Sequence, residues 1–291
     1  MRTRYRAPWV VLLCFGLLLA ATTAVQAKPF VFTAIPDQDE SHLMKRFSGI
    51  AGYLEQHLDV EVTYVPVKSY AAAVVAFRNN QVQLAWFGGL SGVQARLAVP
   101  GSQAIAQGYE DQFFVTYFIA NASTGLTASK DFPKAIAGRS FTFGSKGSTS
   151  GRLMPEFYVR EAFGKAPEEV FKVVGFSGDH SRTIALVQAG TYELGALNFQ
   201  VFDRELEEGK VDPNKVRVIW KTPPYPDYQW TIRGDVDEAY GSGFTDKVRK
   251  TLLELKDPQL LQVFPRKSFV PATNADYAPI LATGKAIGIL D

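Results

Sequence analysis

The three consecutive hydroxyl side chains of Ser148, Thr149 and Ser150 are the strongest local indication of chemistry in the sequence. They stand between two glycines, after a predicted strand at residues 140–143 and before a predicted helix at residues 153–163. The first N–H groups of a helix have no intrahelical partner, and they lie at the positive end of its dipole. The pattern therefore indicates an anion site, although an ordinary Ser/Thr helix cap has the same sequence. The Gly-Lys-Ser/Thr order of a nucleotide-binding loop is absent.

His180 is a second candidate for anion binding, because it also lies between a predicted strand and a predicted helix, at residues 170–176 and 183–189. A histidine in such a loop can donate a hydrogen bond to an anion, and it gains by being protonated. A surface loop histidine is the alternative. The other two histidines, His42 and His57, do not have the spacing of metal ligands, so the sequence predicts no metal site.

An enzyme is the least favoured alternative for these residues. A hydrolase built on Ser150, Asp179 and His180 lacks the Gly-x-Ser-x-Gly turn that presents a nucleophilic serine. Asp179 and His180 are also neighbours in the chain, and neighbours rarely orient each other as a catalytic triad requires.

Two aromatic segments could either fill the core or form the wall of a pocket. One contains Trp86 and Phe87 at the end of a predicted strand, before a glycine turn. The other places Tyr228 and Trp230 close to Asp227. The sequence leaves both choices open.

The first 27 residues predict a secretory signal peptide. A basic start with Arg2, Arg4 and Arg6 precedes an apolar run at residues 9–21, and small residues precede a cleavage point after Ala27. The run of about 13 residues is shorter than the roughly 20 that a membrane-spanning helix needs. We therefore expect cleavage near Ala27 and a mature protein in the periplasm.

Composition narrows the classes of protein further. The single cysteine, Cys14, lies in the predicted signal peptide, so the mature chain has no disulfide and no thiolate metal site. The formal net charge of +2 falls to about −1 without the three leading arginines, which argues against a general nucleic-acid binder. Export of an unfolded chain also argues against a cofactor that is loaded in the cytoplasm.

The remaining sequence alternates predicted strands and helices, which indicates an α/β fold with mainly parallel sheets. The alternation breaks after the long strand near residue 120 and again at the proline-rich residues 222–226. We expect two lobes, with lobe 1 at residues 28–119 plus 224–291, lobe 2 at residues 120–223, and a site between them. The predicted strands lie at residues 30–34, 60–65, 84–87, 113–120, 140–143, 170–176, 194–197 and 216–221, and the helices at residues 41–58, 70–78, 93–97, 153–163, 183–189, 201–208 and beyond 245.

The sequence resembles the periplasmic phosphate-, phosphite- and phosphonate-binding proteins of ABC importers over essentially the whole mature chain. Within that family it is most similar to the branch assigned to selenate transport. The resemblance implies a type II periplasmic binding protein fold, in which two lobes joined by hinge crossovers close on an oxyanion. The matching segments are residues 68–72, 84–90, 148–151 with Pro155, 177–180, 195–198 and 220–228.

The resemblance assigns the oxyanion-holding positions to Tyr70, Ser148, Thr149, Ser150 and His180. The resemblance implies that the protein has no cofactor and no catalytic activity. It also implies that the protein acts as a monomer and that its partners are an ABC permease and the ATPase of that permease. A periplasmic sensor module for a receptor kinase is the alternative from another functional class, and the extracytoplasmic hydrolase is the weakest.

Four further positions of the resemblance concern the choice of ligand: Phe87, Gln200, Asp227 and Tyr228. Binding proteins for aminoalkylphosphonates have a tyrosine in place of Phe87 and an acidic residue, which holds the ligand ammonium, in place of Gln200. A second acidic position falls at or beside Asp227 and Tyr228. The loss of the acid at Gln200 favours a small, compact oxyanion, and the orientation of Asp227 decides between a protonated phosphorus oxyanion and selenate.

Overall fold

The computed structural model describes residues 28–291, so the predicted signal peptide lies outside the described residues. No helix within the described range is long and apolar enough to cross a membrane. The strands form one six-stranded and one five-stranded sheet, each covered by helices. We call the six-stranded sheet with its helices lobe 1 and the other lobe 2.

Lobe 1 has the strand order β11-β4-β10-β3-β1-β2. Strand β1 pairs in parallel with β2 and β3, whereas β10 runs antiparallel between β3 and β4, and β11 runs antiparallel to β4. Its elements are β1 (Phe30–Ala34), α1 (Glu40–Leu58), β2 (Val62–Tyr64), α2 (Tyr70–Arg78), β3 (Leu84–Phe87), α3 (Gly89–Ala98), β4 (Gln103–Gly108), β10 (Gln229–Ile232), α8 (Val236–Tyr240), α9 (Phe244–Leu253), α10 (Pro258–Val263), β11 (Phe269–Pro271) and α11 (Ala278–Ala286).

Lobe 2 has the strand order β7-β6-β8-β5-β9. Strand β6 pairs in parallel with β7 and β8, and β5 runs antiparallel between β8 and β9. Its elements are β5 (Thr116–Asn121), β6 (Ser140–Phe143), α4 (Met154–Phe163), α5 (Pro167–Val170), β7 (Val173–Phe176), α6 (His180–Gln188), β8 (Leu194–Asn198), α7 (Phe199–Glu207) and β9 (Val216–Lys221).

The α/β, two-lobed architecture is confirmed, but the prediction of mainly parallel sheets is wrong because both sheets are mixed. Two of the three antiparallel strands, β5 and β10 but not β11, are strands that the chain enters directly from the other lobe. A strand reached in this way lacks the helical crossover that makes consecutive strands parallel. The predicted strand at residues 113–120 also begins late, since Tyr109–Phe113 forms a 3-10 turn.

The two passages of the chain between the lobes lie side by side. Phe114 and Tyr225 form an isolated antiparallel bridge, with N–H to oxygen distances of 2.9 Å in both directions. Next to it, the Thr222 amide donates to the Thr116 carbonyl at 3.1 Å. The lobe boundaries predicted at residues 119 and 223 stay a prediction; strand β5 already pairs within the second sheet from Thr116.

Candidate functional site

The candidate site lies between the two lobes, where the carboxyl ends of their parallel strands face each other. Ligands of open α/β sheets bind outside this edge of the sheet. Asp37 follows β1 and Gly88 follows β3 in lobe 1, while the loop after β6 and the start of α6 come from lobe 2. The backbone amide of His180 donates to the Asp37 carbonyl at 3.1 Å and so joins the two edges.

The predicted hydroxyl run is placed at this edge, and its three members have different partners. Ser148 begins a π-helical turn, Thr149–Leu153, that leads into α4, and its hydroxyl accepts from the Gly151 amide at 2.9 Å. The Thr149 hydroxyl accepts from the Leu90 amide of lobe 1 at 2.9 Å. The hydroxyl of Ser150 is buried and has no hydrogen-bond partner within residues 28–291. Ser150 is therefore the member of the run that is free to bind a ligand through its side chain.

Close backbone packing shapes the loop around these hydroxyls. The Gly144 amide donates to the Gly151 carbonyl at 2.7 Å. A Cβ atom on Gly144 would lie 3.2 Å from the Gly151 Cα, and one on Gly147 would lie 3.1 Å from the Tyr70 Cβ. Glycine at these positions lets the loop and the first turn of α2 approach each other.

Tyr70 contributes a hydroxyl from lobe 1. It is the first residue of α2, whose N-cap Ser69 accepts from the Ala72 amide at 3.1 Å. The ring is 2% exposed, and the hydroxyl has no partner among the described residues. Burial raises the pKa of Tyr70 well above its usual value, so the hydroxyl stays neutral and keeps a hydrogen to donate.

His180 is completely buried at the first position of α6. Its Nδ1 accepts from the Asn198 amide at 3.4 Å, which places the hydrogen on Nε2, and Nε2 has no partner in the described part of the chain. Burial lowers the pKa of His180 to about 4. Burial therefore opposes the protonation that an anion would favour, and the neutral imidazole presents one N–H donor.

Asp227 provides a buried acceptor beside Thr149 of the hydroxyl run. Its Oδ1 accepts from the Gly89 amide at the start of α3, at 2.8 Å, while Oδ2 is buried and lacks a partner among residues 28–291. A Cβ atom on Gly88 would lie 3.1 Å from Oδ1 and 3.3 Å from the Thr149 hydroxyl, so the carboxyl group is next to the hydroxyl run. Burial raises the pKa of Asp227 to about 7, against the opposing effect of the Gly89 hydrogen bond. The group can hold or release a proton near neutral pH.

The two predicted aromatic site residues have different positions. The Tyr228 hydroxyl accepts from the Asn198 side-chain amide of lobe 2 at 3.1 Å, and its ring stacks on Trp86 with centroids 5.6 Å apart. Phe87 is fully buried, and its ring packs edge-on against Phe77 with centroids 5.7 Å apart. Tyr228 therefore reaches between the lobes, whereas the observed contact of Phe87 is with α2.

Gln200 lies in a polar cleft between the lobes, which Asp37 and Asn198 also line. Its side-chain oxygen is buried without a partner within the described range. Three arginines line the same cleft: Arg46, Arg204 and Arg266. Arg46 is bound to Gln38 at 2.8 Å, and Arg266 forms an ion pair with Asp111 at 2.7 Å. The surroundings of Gln200 are therefore rich in positive charge.

Two residues of the site were not singled out in the sequence. They are Asp37, whose Oδ1 is buried without a described partner, and Asn198, which bonds both His180 and Tyr228. Asp37 lies three residues after β1, and Asn198 is the last residue of β8. A polar residue at the carboxyl end of a predicted strand is the signal that could have identified them.

The arrangement is suited to holding a small anion that carries one hydrogen. Its unpartnered donors are neutral, and the carboxyl group of Asp227, which has an unpartnered oxygen, can share a proton with a ligand near neutral pH. Within residues 28–291 no group of three or more His, Cys, Asp or Glu side chains could hold a metal ion. The unpartnered donors are Tyr70, Ser150 and His180, and the unpartnered acceptors are Asp37, Gln200 and Asp227.

Comparison with known proteins gives a consistent result. The family model described as the periplasmic substrate-binding protein of phosphonate ABC transporters matches residues 32–277. The chain is 41% identical over 261 residues to the probable phosphite-binding protein PhnD1 of an ABC transporter from Prochlorococcus marinus, which covers 87% of this chain and 88% of that protein. It is 26% identical over 257 residues to the phosphate-import protein PhnD of Mycolicibacterium smegmatis, with coverage of 81% and 75%.

Solved structures agree in fold. The structure of Prochlorococcus marinus PhnD1 in complex with methylphosphonate superimposes with a TM-score of 0.85 at 40% identity, covering 90% of this chain and 98% of that one. A binding protein of a phosphonate ABC transporter from Pseudomonas aeruginosa gives a TM-score of 0.77 at 20% identity, with coverage of 89% and 85%. The similarity to the Pseudomonas aeruginosa protein supports the assignment of the fold alone.

Proposed function

Because this chain belongs to the family of periplasmic substrate-binding proteins of phosphonate ABC transporters, we propose that its own ligand is a small phosphorus oxyanion with one ionisable hydrogen, such as phosphite or methylphosphonate. The protein is the substrate-binding component of an ABC importer and not an enzyme. The ligand of the relative with a solved complex, methylphosphonate, belongs to the proposed class.

The observation that carries this proposal is the buried Asp227 carboxyl with its unpartnered Oδ2. A carboxylate beside an anion is repelled unless a proton lies between them. Phosphite and phosphonates keep a hydrogen near neutral pH, and the pKa of Asp227 near 7 lets the proton reside on either partner. One shared proton would turn a repulsive contact into a short, charge-assisted hydrogen bond.

The remaining ligand oxygens would be held by neutral donors. We assign this role to the hydroxyls of Tyr70 and Ser150 and to Nε2–H of His180, which are buried without partners in the described chain. Free amides at the start of the turn Thr149–Leu153 would add donors at the positive end of a helix dipole. Ser148 and Thr149 shape this turn through their own hydrogen bonds, and Tyr228 closes the site from lobe 1.

Selenate and sulfate fit this site less well. Both are fully deprotonated near neutral pH, so they offer only acceptors and would face the Asp227 carboxylate without a proton between them. The likeness to the branch assigned to selenate transport stays a prediction, and the orientation of Asp227 argues against that ligand.

We propose that ligand capture closes lobe 1 on lobe 2, with the hinge at the paired crossovers near Phe114 and Tyr225 and the lobe boundaries close to residues 119 and 223. Contacts made only in the closed form, such as the bond from Leu90 to Thr149, would supply the preference for that state. The closed protein, acting as a monomer in the periplasm after removal of the signal peptide, would then dock on an ABC permease with its ATPase.

The test is a ligand series measured by calorimetry and thermal shift on purified mature protein. Phosphite and methylphosphonate should bind at least roughly tenfold more tightly than sulfate and selenate, and should raise the melting temperature by mass action. Tight selenate binding with no response to phosphite or methylphosphonate would overturn the ligand assignment.

A further inference from the structure

We propose that lobe 1 carries a second binding site, for a small organic carboxylate with an apolar body, in a pocket between α3, the start of β4 and α11. The pocket has a volume of about 360 Å³, which lies within the range of small-molecule sites. Nothing in the oxyanion site described above lines it. Its lining includes Val93, Arg96, Leu97, Ser102, Tyr277 and Leu281.

Arg96 supplies the positive charge of this pocket. Its Nη1 donates to the side chains of Gln229 and Thr231, each at 3.2 Å, and its guanidinium lies 5.1 Å from the centre of the Tyr277 ring. No carboxylate within residues 28–291 forms an ion pair with it, and burial lowers the pKa of Arg96 to about 10, so it stays charged at neutral pH. Arg96 is partly buried, and a partly buried cation without a counter-ion in the described chain favours an anion beside it.

Ser102 gives the second, independent indication of a ligand. It is 3% exposed, it lines the same pocket, and its hydroxyl has no hydrogen-bond partner in the described range. The neighbouring Asn274 is fully engaged, since its side chain binds the Ala104 amide at 2.8 Å and the Ser102 carbonyl at 3.0 Å. The Ser102 hydroxyl therefore remains available to an incoming group.

The chemistry of these groups selects a carboxylate. The planar guanidinium presents paired N–H donors that match the two oxygens of a carboxylate, and Nε and Nη2 of Arg96 donate to no described residue. The walls of the pocket are hydrocarbon, from Val93, Leu97 and Leu281, and Leu97 is 57% exposed although it is apolar. A ligand with an acidic head and an apolar body would cover Leu97 while its head neutralises Arg96.

The pocket is separate from the oxyanion site. The amide of Gly89 at the start of α3 binds Asp227, whereas Arg96 and Leu97 belong to the last turn of the same helix. Eight residues of helix place the two sites about 12 Å apart along the helix axis. The proposed function can therefore fail while this second site holds, and the reverse is also possible.

The test uses benzoate as the probe, with benzamide and acetate as matched controls that lack the charge or the apolar body. Calorimetry is carried out on full-length mature protein saturated with methylphosphonate, and again without it. Benzoate should bind with one site in both conditions, and benzamide and acetate should bind at least roughly tenfold more weakly. Equal binding of benzoate and benzamide, or loss of benzoate binding when methylphosphonate is present, would overturn the proposal.

Two variants locate the site. Leu97→Glu places a negative charge on an exposed wall of the pocket and should weaken benzoate binding at least roughly tenfold while methylphosphonate affinity is unchanged. Leu206→Glu, at a leucine of lobe 2 that is 40% exposed, is the matched control and should change neither affinity. Unaltered benzoate binding in Leu97→Glu would place the probe elsewhere and refute the site.

Discussion

The backbone amide of Leu90 donates to the hydroxyl of Thr149 at 2.9 Å, which joins the first turn of α3 in lobe 1 to the turn that precedes α4 in lobe 2. Both atoms are buried, so the bond is made out of contact with water. It lies next to the bond between Gly89 and Asp227, and the start of α3 therefore holds both lobe 2 and the candidate acceptor for the ligand.

Replacing Thr149 by valine should weaken ligand binding roughly tenfold, because a buried amide of α3 would lose its acceptor when the lobes close. Thr149→Ser keeps the hydroxyl and is the control. Methylphosphonate affinity by calorimetry and the radius of gyration by small-angle scattering measure the two effects. An affinity in the valine variant equal to that of wild type would show that this bond does not contribute to closure.

Substitutions of Ser148 and Ser150 should have different effects, one on the stability of the fold and the other on ligand affinity. Ser150→Ala removes an unpartnered hydroxyl and should cost about 1–3 kcal/mol of ligand binding with little change in melting temperature. Ser148→Ala removes the cap on the Gly151 amide and should cost about 1 kcal/mol of folding stability. Calorimetry and thermal denaturation on both variants check the division, and the reverse pattern would refute it.

Substitution of Asp227 by asparagine should weaken the preference of the site for phosphite over selenate. The amide accepts no proton from the ligand, so affinity for phosphite should fall, while the repulsion that excludes sulfate and selenate should be relieved. We expect the ratio of phosphite to selenate affinity to drop at least roughly tenfold. If the variant leaves both affinities as in wild type, Asp227 does not contact the ligand.

The pH dependence of ligand-free stability should differ between variants at His180 and Asp227. His180 has a folded pKa of about 4, below its usual 6.5, so the unfolded state binds more protons between these values and stability rises with pH there. Asp227 has a folded pKa of about 7, above 3.8, so stability falls with pH across that window. In wild type the two slopes oppose each other.

When one of the two groups is replaced, the pH dependence of the free energy of unfolding should therefore be set by the group that remains. Between pH 4 and 7, the free energy of unfolding of Asp227→Asn should rise relative to that of wild type as pH increases. That of His180→Asn should fall relative to wild type over the same range. Each change is about 1.4 kcal/mol per pH unit at most. Urea unfolding at several pH values measures the difference. Parallel profiles for wild type and both variants would mean that neither group titrates in this range.

Because Gln200 lies among arginines, we expect the protein to have low affinity for ligands that carry an amino group. Wild-type protein should bind 2-aminoethylphosphonate no better than methylphosphonate, because Arg46, Arg204 and Arg266 line the cleft beside Gln200 and repel an ammonium group. Calorimetric titration with both compounds compares them directly. A tenfold preference for the amino compound, about 1.4 kcal/mol, would show that another acceptor such as Asp37 holds the ammonium.

Local sequence patterns predicted the elements that carry strong periodicity or a dense motif. The amphipathic helix α1, the buried strand β3 and the turn with Ser148 to Ser150 are in this group. Strand β10 was missed because its pairing partners, β3 and β4, are more than a hundred residues away in the chain and only the tertiary fold brings them together. The neutral state of His180 was missed for the same reason, since its burial depends on packing between lobes.

None of the side chains that the candidate site offers to its ligand carries a permanent positive charge, and this affects how the importer is loaded. The positive charge that attracts anions over long distances therefore comes from Arg46, Arg204 and Arg266 of the neighbouring cleft, and the rate of capture should fall as ionic strength rises. The ligand is held only while groups of both lobes hydrogen-bond to it at the same time. A permease that separates the two lobes therefore releases the ligand without breaking an ion pair. The ligand-free binding protein can then bind another ligand.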